Sequence, residues 1–437
     1  MNNFRAGAAK KEITPPIGTD LFGYIRRFGS SAGIHDPLWA NFLWVEDGNN
    51  EILLVSLDVL NFSDRFAAQA KTAISDGIDI TKENICLAAV HTHSAPGMHI
   101  FRGGGKRNMS WEERVLAVLI DGSQEARQNS KKTYLGLGTD QAFIGYNRRK
   151  SENDIDSNLT MACFADEKKR PFCILSNYGC HPVVLKEDNL LISTDYVGYF
   201  RERLNRLFSA DIVTLFFTGA TGDVDPIERG SFKIADKLAR ALSQKAFVMI
   251  KNMHWALVGE LRVERIKLNL PYQRIPSIEE AEGTCQKYRF LYQHAKEKGD
   301  KTEIRIRKAF LDWAEELRDV TATSKIPSSL ECELQCLKFG DLVLVAHPFE
   351  LFSSISLEIR EICKVKHLIM AGYANGYHGY LPDEKSAREG GYEVEDAYKH
   401  VGLLPYSVQA GQIFQQKVLR VIKNVVRKKR KESSPIS

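Results

Sequence analysis

Two histidines separated by one threonine end the apolar run ICLAAVHTHSAPG, residues 85 to 97. In an extended segment, side chains two apart share a face, so the spacing predicts that His91 and His93 look the same way from a strand exit. Three more segments place reactive residue types after apolar runs. They are NYGCHPVVL (177 to 185) with His181, TGATGDVDP (218 to 226) with Asp223 and Asp225, and AHPFELF (346 to 352) with Glu350. A fifth, YANGYHGYLPDEKSAREGGYEVEDAY (373 to 398), is dense in tyrosine, glycine and acids.

These residue types suit zinc. The metal takes three or four N, S or O ligands in a tetrahedral set, and a catalytic site leaves one position for a water whose pKa falls to about 7. His91, His181 and Glu350 could supply a His₂Glu set from separate loops. The chain has no HExxH helix, so such a set must assemble through folding. Each piece also has a plainer reading. His181 could be a hydrogen-bonded core histidine, and Glu350 could start the helix LFSSISLEIREI, where an acid favours the positive end of the dipole. TGATGDVDP could be a glycine-rich turn with locally bonded aspartates; it lacks the GK[ST] ending of a phosphate-binding loop.

The elements that must position these residues alternate. Runs rich in β-branched residues recur near 42, 51, 84, 173, 211 and 341, with helical patterns between several of them. SWEERVLAVLIDGSQEARQ opens on Ser110 with Glu113 three later, the spacing of a capping box. VGYFRERLNRLF and FKIADKLARALSQKAFVMI follow a period near 3.6. This mixture predicts an α/β fold, a mixed β-sheet with surrounding helices and functional residues at strand exits. Residues 276–325 change texture and read as two charged helices joined near EKGDKTE, an inserted helical hairpin rather than a catalytic segment. The closing helix repeats apolar residues at Phe414, Val418, Val421 and Val425 and is expected to pack on the body. One domain is therefore expected over 1–426, followed by a basic tail, 427–437.

Composition narrows the class. Hydrophobic residues at 43% and charged residues at 26% of 437 exclude a disordered or fibrous chain. The start carries no apolar core of signal-peptide length, and no run approaches the ~18 apolar residues of a membrane span, so a cytoplasmic protein is expected. Eight scattered cysteines suit reduced core thiols, and Cys332 and Cys336 lack a second pair for structural zinc. The net charge of +5 equals the five charges of RKKRK (Arg427 to Lys431), so 5 minus 5 leaves the body near neutral. The tail reads as a solvated end that offers weak contact to an anionic membrane. No interleaving of aromatic and basic residues points to nucleic acid.

Several motifs resemble the neutral ceramidase family, in the family's order and over most of residues 7 to 400. They are GAAKKEITPPIGTDLFGY (7 to 24), GIHDPLWA (33 to 40), HTHSAPG (91 to 97), YNRR (146 to 149), CHPVVL leading to ISTDYVGY (180 to 199), GDVDP (222 to 226), and NGYHGY followed by GGYE. The resemblance implies an amidase with one Zn²⁺ per chain, in which metal-activated water attacks an amide carbonyl. His91, His181, Glu350 and Tyr380 match the family's zinc ligands, and His93 its second active-site histidine, placed to handle protons. Arg148 resembles the family's pocket arginine, which contacts a polar group of the substrate. Tyr392, twelve positions after Tyr380 in GGYE, matches the oxyanion donor. Asp223 matches the family pattern, whereas Asp225 stands where ceramidases carry serine. The chain also ends soon after these segments, so no C-terminal immunoglobulin-like domain is expected.

The resulting expectation is a zinc-dependent hydrolase of a small soluble N-acyl amine or amino sugar, in preference to ceramide. An esterase or deacetylase would use the same site. A family member without catalysis, binding anionic partners through its tail, is the alternative from another class. The acyl part, the amine part and the oligomeric state are left open by the sequence.

Overall fold

The computed structural model describes residues 4–149, 154–208, 211–257, 260–323, 326–402 and 404–427; the basic run after Arg427 lies outside the described residues. The apolar runs form three principal sheets rather than one. The first orders Ile85–Ala89, Glu51–Leu57, Trp39–Glu46, Arg5–Glu12 and Lys131–Lys132. The second orders Val213–Thr218, Pro171–Tyr178, Asn158–Ala165, Tyr134–Gln141 and Trp255–Ala256, and the third Leu261–Pro271, Ser329–Phe339, Leu342–Ala346 and His367–Ala371.

Each sheet is antiparallel except for one pair at an edge. Glu51–Leu57 runs parallel to Ile85–Ala89, Pro171–Tyr178 to Val213–Thr218, and Leu342–Ala346 to His367–Ala371. Parallel partners place their carboxyl ends together, so three sheets bring six strand exits within reach of one another. The exits are stitched directly: Ala89 N donates to Tyr373 O at 3.1 Å, Gly372 N to Thr218 O at 2.9 Å, and Gly219 N to Tyr178 O at 2.9 Å. One apolar cluster takes Leu54 and Ala88 from the first sheet, Leu175 and Phe217 from the second, and Leu344 and Ile369 from the third. Those faces have no access to water, which explains why their strands read as continuous apolar runs.

Helices cover the outer faces. Asp64–Ile78 and Met109–Gln128 pack on the first sheet, Tyr196–Phe208 and Phe232–Lys251 on the second, and Ser353–Cys363 and Ala410–Val426 on the third. In the last of these Phe414, Val418, Val421 and Val425 are all buried, each worth about 1.5–3 kcal/mol. One expected cap is corrected. Asn108, not Ser110, caps Met109–Gln128, its side chain accepting from Trp111 N at 3.2 Å. The capping box belongs instead to Ser277 and Glu280 at the start of Ile278–Lys298, the first helix of the inserted hairpin. Gly299, at φ +70°, and Asp300 turn the chain into the second, Lys301–Ala322. All eight cysteines are free. No helix among the described residues is long and apolar enough to cross a membrane.

Candidate active site

The strand exits assemble the cluster. His91 lies two residues beyond Ala89, His181 three beyond Tyr178, and Glu350 four beyond Ala346. His91 is not in extended backbone: its φ is +68°, so the shared face expected of an extended HTH is not the cause of the pairing. A left-handed turn redirects the chain, and the two Nε2 atoms still meet at 3.3 Å, with the rings edge to face. Glu350 belongs to the short strand Glu350–Leu351, in register with Tyr380–Leu381, and the following helix begins at Ser353. That pairing sets Glu350 beside Tyr380 and replaces the helix-start reading.

Orientation comes from the far edge of each ring. His91 Nδ1 donates to Leu60 O at 2.8 Å, and His181 Nδ1 to Val224 O at 3.2 Å. A carbonyl only accepts, so each Nδ1 holds a proton and each ring turns its Nε2 toward Glu350. Glu350 Oε2 is 2.9 Å from His181 Nε2 and 3.5 Å from His91 Nε2. Ligand atoms of His91, His93 and His181 lie within 4.8 Å of one another. His91, His181 and Glu350 are 1–2% exposed.

Burial lowers the pKa of His91 and His93, keeping both neutral at pH 7. Burial would raise that of Glu350, but His91 and His181 beside it outweigh this and hold the carboxyl well below its ordinary value. A buried carboxylate thus faces the Nε2 edges of two imidazoles whose Nδ1 atoms are held by backbone carbonyls. The nitrogen and oxygen donors gathered there are of the types that zinc takes. The third histidine differs. His93 Nδ1 has no hydrogen-bond partner among the described residues and rests on Gly23, where a Cβ would come within 2.3 Å of it.

Two tyrosines that sequence reading left out close the cluster. Tyr373 stacks on His91 at 3.9 Å between centroids, donates to Glu350 Oε2 at 3.3 Å and meets Thr221 Oγ1 at 2.5 Å. Tyr377 donates to Glu350 Oε1. The tyrosine-dense segment was visible, but its spacing does not separate Tyr373 and Tyr377 from Tyr380.

A cleft of about 330 Å³ opens over the cluster, lined among others by His93, His181, Arg148, Asp225, Tyr380 and Tyr392. Arg148 Nη1 is 3.2 Å from Asp225, its Nη2 is 2.9 Å from Glu393, and its guanidinium lies 5.6 Å from the Tyr380 ring centroid. Burial alone would lower the pKa of Arg148, but Tyr380, Asp225 and Glu393 more than offset it and raise it. Asp225 also meets Arg229 at 3.2 Å, so two guanidiniums neutralise it. The plainer reading of purely local aspartate bonds fails for both acids. Asp223 accepts from Ser353 N and from Asn147 Nδ2, both at 2.8 Å, which anchors the next helix and the Arg148 strand. Asp223, expected from the sequence beside the catalytic groups, thus accepts one hydrogen bond on each oxygen and does not line the cleft.

No family model matches the chain. It is 24% identical to the neutral ceramidase of Drosophila melanogaster over 255 residues, covering 51% of this chain and 36% of that protein. It is 23% identical to neutral ceramidase B of Dictyostelium discoideum over 260 residues, 52% of this chain and 36% of that one. The matched stretch thus spans about a third of these relatives' length. In fold it matches the crystal structure of neutral ceramidase from Pseudomonas aeruginosa with a TM-score of 0.75 at 18% identity, covering 97% of this chain and 74% of that one. A ceramidase complexed with C2 matches at the same TM-score and 17% identity, covering 97% and 75%. The chain is thus similar to neutral ceramidases in sequence over about half its length and to their solved structures in fold over nearly all of it.

Proposed function

We propose that the chain hydrolyses the amide bond of an N-acyl compound at this cluster, with zinc held by His91, His181, Glu350 and Tyr380. The observation that carries the reading is the convergence of two imidazoles, each fixed through Nδ1 by a backbone carbonyl, on a buried carboxylate under an open cleft. When bound, the metal supplies Lewis-acid polarisation of the carbonyl and of a water molecule. A ligating histidine usually donates its other ring N–H to a carbonyl or carboxylate, which His91 and His181 do and His93 does not. This favours His93 as the group that takes the proton of the attacking water and passes it to the leaving amine. Tyr392 donates to the carbonyl oxygen as negative charge develops there. Arg148, locked by Asp225 and Glu393, orients a polar substituent of the substrate.

The lining supports a polar substrate over long-chain ceramide, since Ile25 and Val183 are its apolar side chains beside many charged and tyrosine groups. The deciding experiment combines elemental analysis of the purified chain with a panel of N-acyl amines, N-acyl amino sugars and short- and long-chain ceramides, with and without chelator. Near-stoichiometric zinc and chelator-sensitive amide cleavage are expected. A chain that neither contains nor takes up zinc, or cleaves amides equally well with chelator, overturns the reading.

A further inference from the structure

Arg27 is buried, 3% exposed, with no acid at hydrogen-bond distance among the described residues; Glu187 and Asp188 act on it only from farther away. A buried charge is ordinarily paired, so an unpaired one asks what its donors do. They go to backbone. Nη1 donates to His93 O at 2.7 Å and to Phe22 O at 3.2 Å, and Nη2 donates to Lys186 O at 3.3 Å. One guanidinium thus laces three stretches of chain together: its own, the HTH turn, and the chain five residues beyond His181. Its planar fork of donors suits that task better than the point charge of a lysine.

His93 needs such support more than its neighbours do. The rings of His91 and His181 are pinned through Nδ1 by carbonyls, whereas Nδ1 of His93 has no hydrogen-bond partner among the described residues. Its orientation must come from packing and from the placement of its backbone. Both are supplied by the segment that carries Arg27. Gly23, at φ +99°, lies against the imidazole where no Cβ would fit, and the Tyr24 ring meets that of His93 edge to face with centroids 4.9 Å apart. The Arg27 guanidinium lies over that same tyrosine, 4.9 Å from the ring centroid, and the Tyr24 hydroxyl donates to Leu185 O at 2.9 Å. Arg27 therefore reaches His93 twice, through its carbonyl and through the ring that backs it. Its side chain does not line the cleft, so it has no route to the substrate except through these neighbours.

We propose that Arg27 is a positioning residue for His93: by holding the histidine's carbonyl and backing the Tyr24 ring, it keeps the imidazole directed into the cleft. The consequence for turnover rests on the reading of His93 as the proton carrier; the placement of the ring does not.

Two measurements on the purified full chain test this. Labelling of each histidine with diethyl pyrocarbonate, followed by mass spectrometry, reads the ring directly, with the half-exposed His294 of the hairpin as internal standard. Arg27→Met should raise the labelling rate of His93 several-fold relative to His294, and Arg27→Lys, which keeps one donor for the carbonyl, should fall between that variant and the unaltered chain. With the best substrate of the N-acyl panel, Arg27→Met should lower kcat about tenfold at constant KM and zinc content, and should lower it no further in a His93→Ala background. Labelling of His93 that does not rise overturns the proposal, as does a loss in kcat of equal size with and without the imidazole. The labelling needs no turnover, so it decides the role of Arg27 even where the hydrolase reading fails. Should Arg27→Met not fold, Arg27→Lys carries both readouts.

Discussion

The floor and the mouth of the cleft are built on opposite principles. On the floor, His91, His181 and Glu350 are 1–2% exposed, and each is fixed by strand-exit backbone or by tyrosines from the same core. At the mouth, Tyr392 is 48% exposed, and one rim is braced by the inserted hairpin rather than by a sheet. Arg305 of the hairpin donates to Ile25 O at 3.1 Å and to Arg27 O on that rim. In the chain beyond Tyr392, the Lys399 ammonium pairs with Asp396 at 2.7 Å and lies 4.7 Å from the ring of Phe310 and 5.8 Å from that of Trp313. The hairpin thus touches Ile25 on the cleft lining and packs against the chain that follows Tyr392. The contrast teaches that the candidate ligands are held by buried strand exits, while the opening above them is lined by exposed side chains that can change without disturbing that packing.

The comparison breaks most visibly at the floor. Glu350→Gln should remove both stoichiometric zinc and turnover, whereas His93→Ala should keep the zinc and lose about 10²–10⁴-fold in kcat. Elemental analysis beside single-turnover kinetics separates the two. Loss of zinc in His93→Ala would make all three histidines ligands. A step outward, Tyr373→Phe removes the hydroxyl between Glu350 and Thr221 but keeps the ring stacked on His91. It should weaken zinc about 10–100-fold in a competition titration with a chelating dye, with the fold intact by circular dichroism.

At the boundary of floor and mouth, Asp225→Ser should leave metal content unchanged and shift relative kcat/KM across the N-acyl panel, because Arg148 and Arg229 lose a shared counter-charge. If zinc left with Asp225, the acid would belong to the floor. The smallest effect is expected at the hairpin contact. Lys399→Met forfeits a buried cation among aromatic rings, about 0.5–2 kcal/mol, and should raise KM a few-fold with kcat nearly constant. An equal fall in kcat would show that the hairpin also holds the floor.

Much of this site could be read as residue types before any folding. Apolar runs marked the strands, and histidines or acids at their exits marked the reactive groups, since a fully buried strand can expose chemistry only where it ends. Asp223 and Asp225 illustrate the limit. Their local sequence suggests a turn bonded to itself, but one carboxylate anchors the helix at Ser353 and the other lies between Arg148 and Arg229, partners as far as 130 residues away. Tyr373 and Tyr377 were hidden for a related reason: tyrosine spacing does not tell which hydroxyl turns inward.

By itself the sequence determined the α/β alternation, the inserted hairpin, the closing amphipathic helix and the set of candidate ligands, because periodicity and residue chemistry are local properties. Only the tertiary structure decided the rest. It divided the strands among three sheets with one parallel pair each, bent His91 into left-handed backbone, joined Glu350 to Tyr380 and set the hairpin against Ile25 of the cleft. Those outcomes depend on which distant surfaces exclude water together, a property that no short stretch of chain contains.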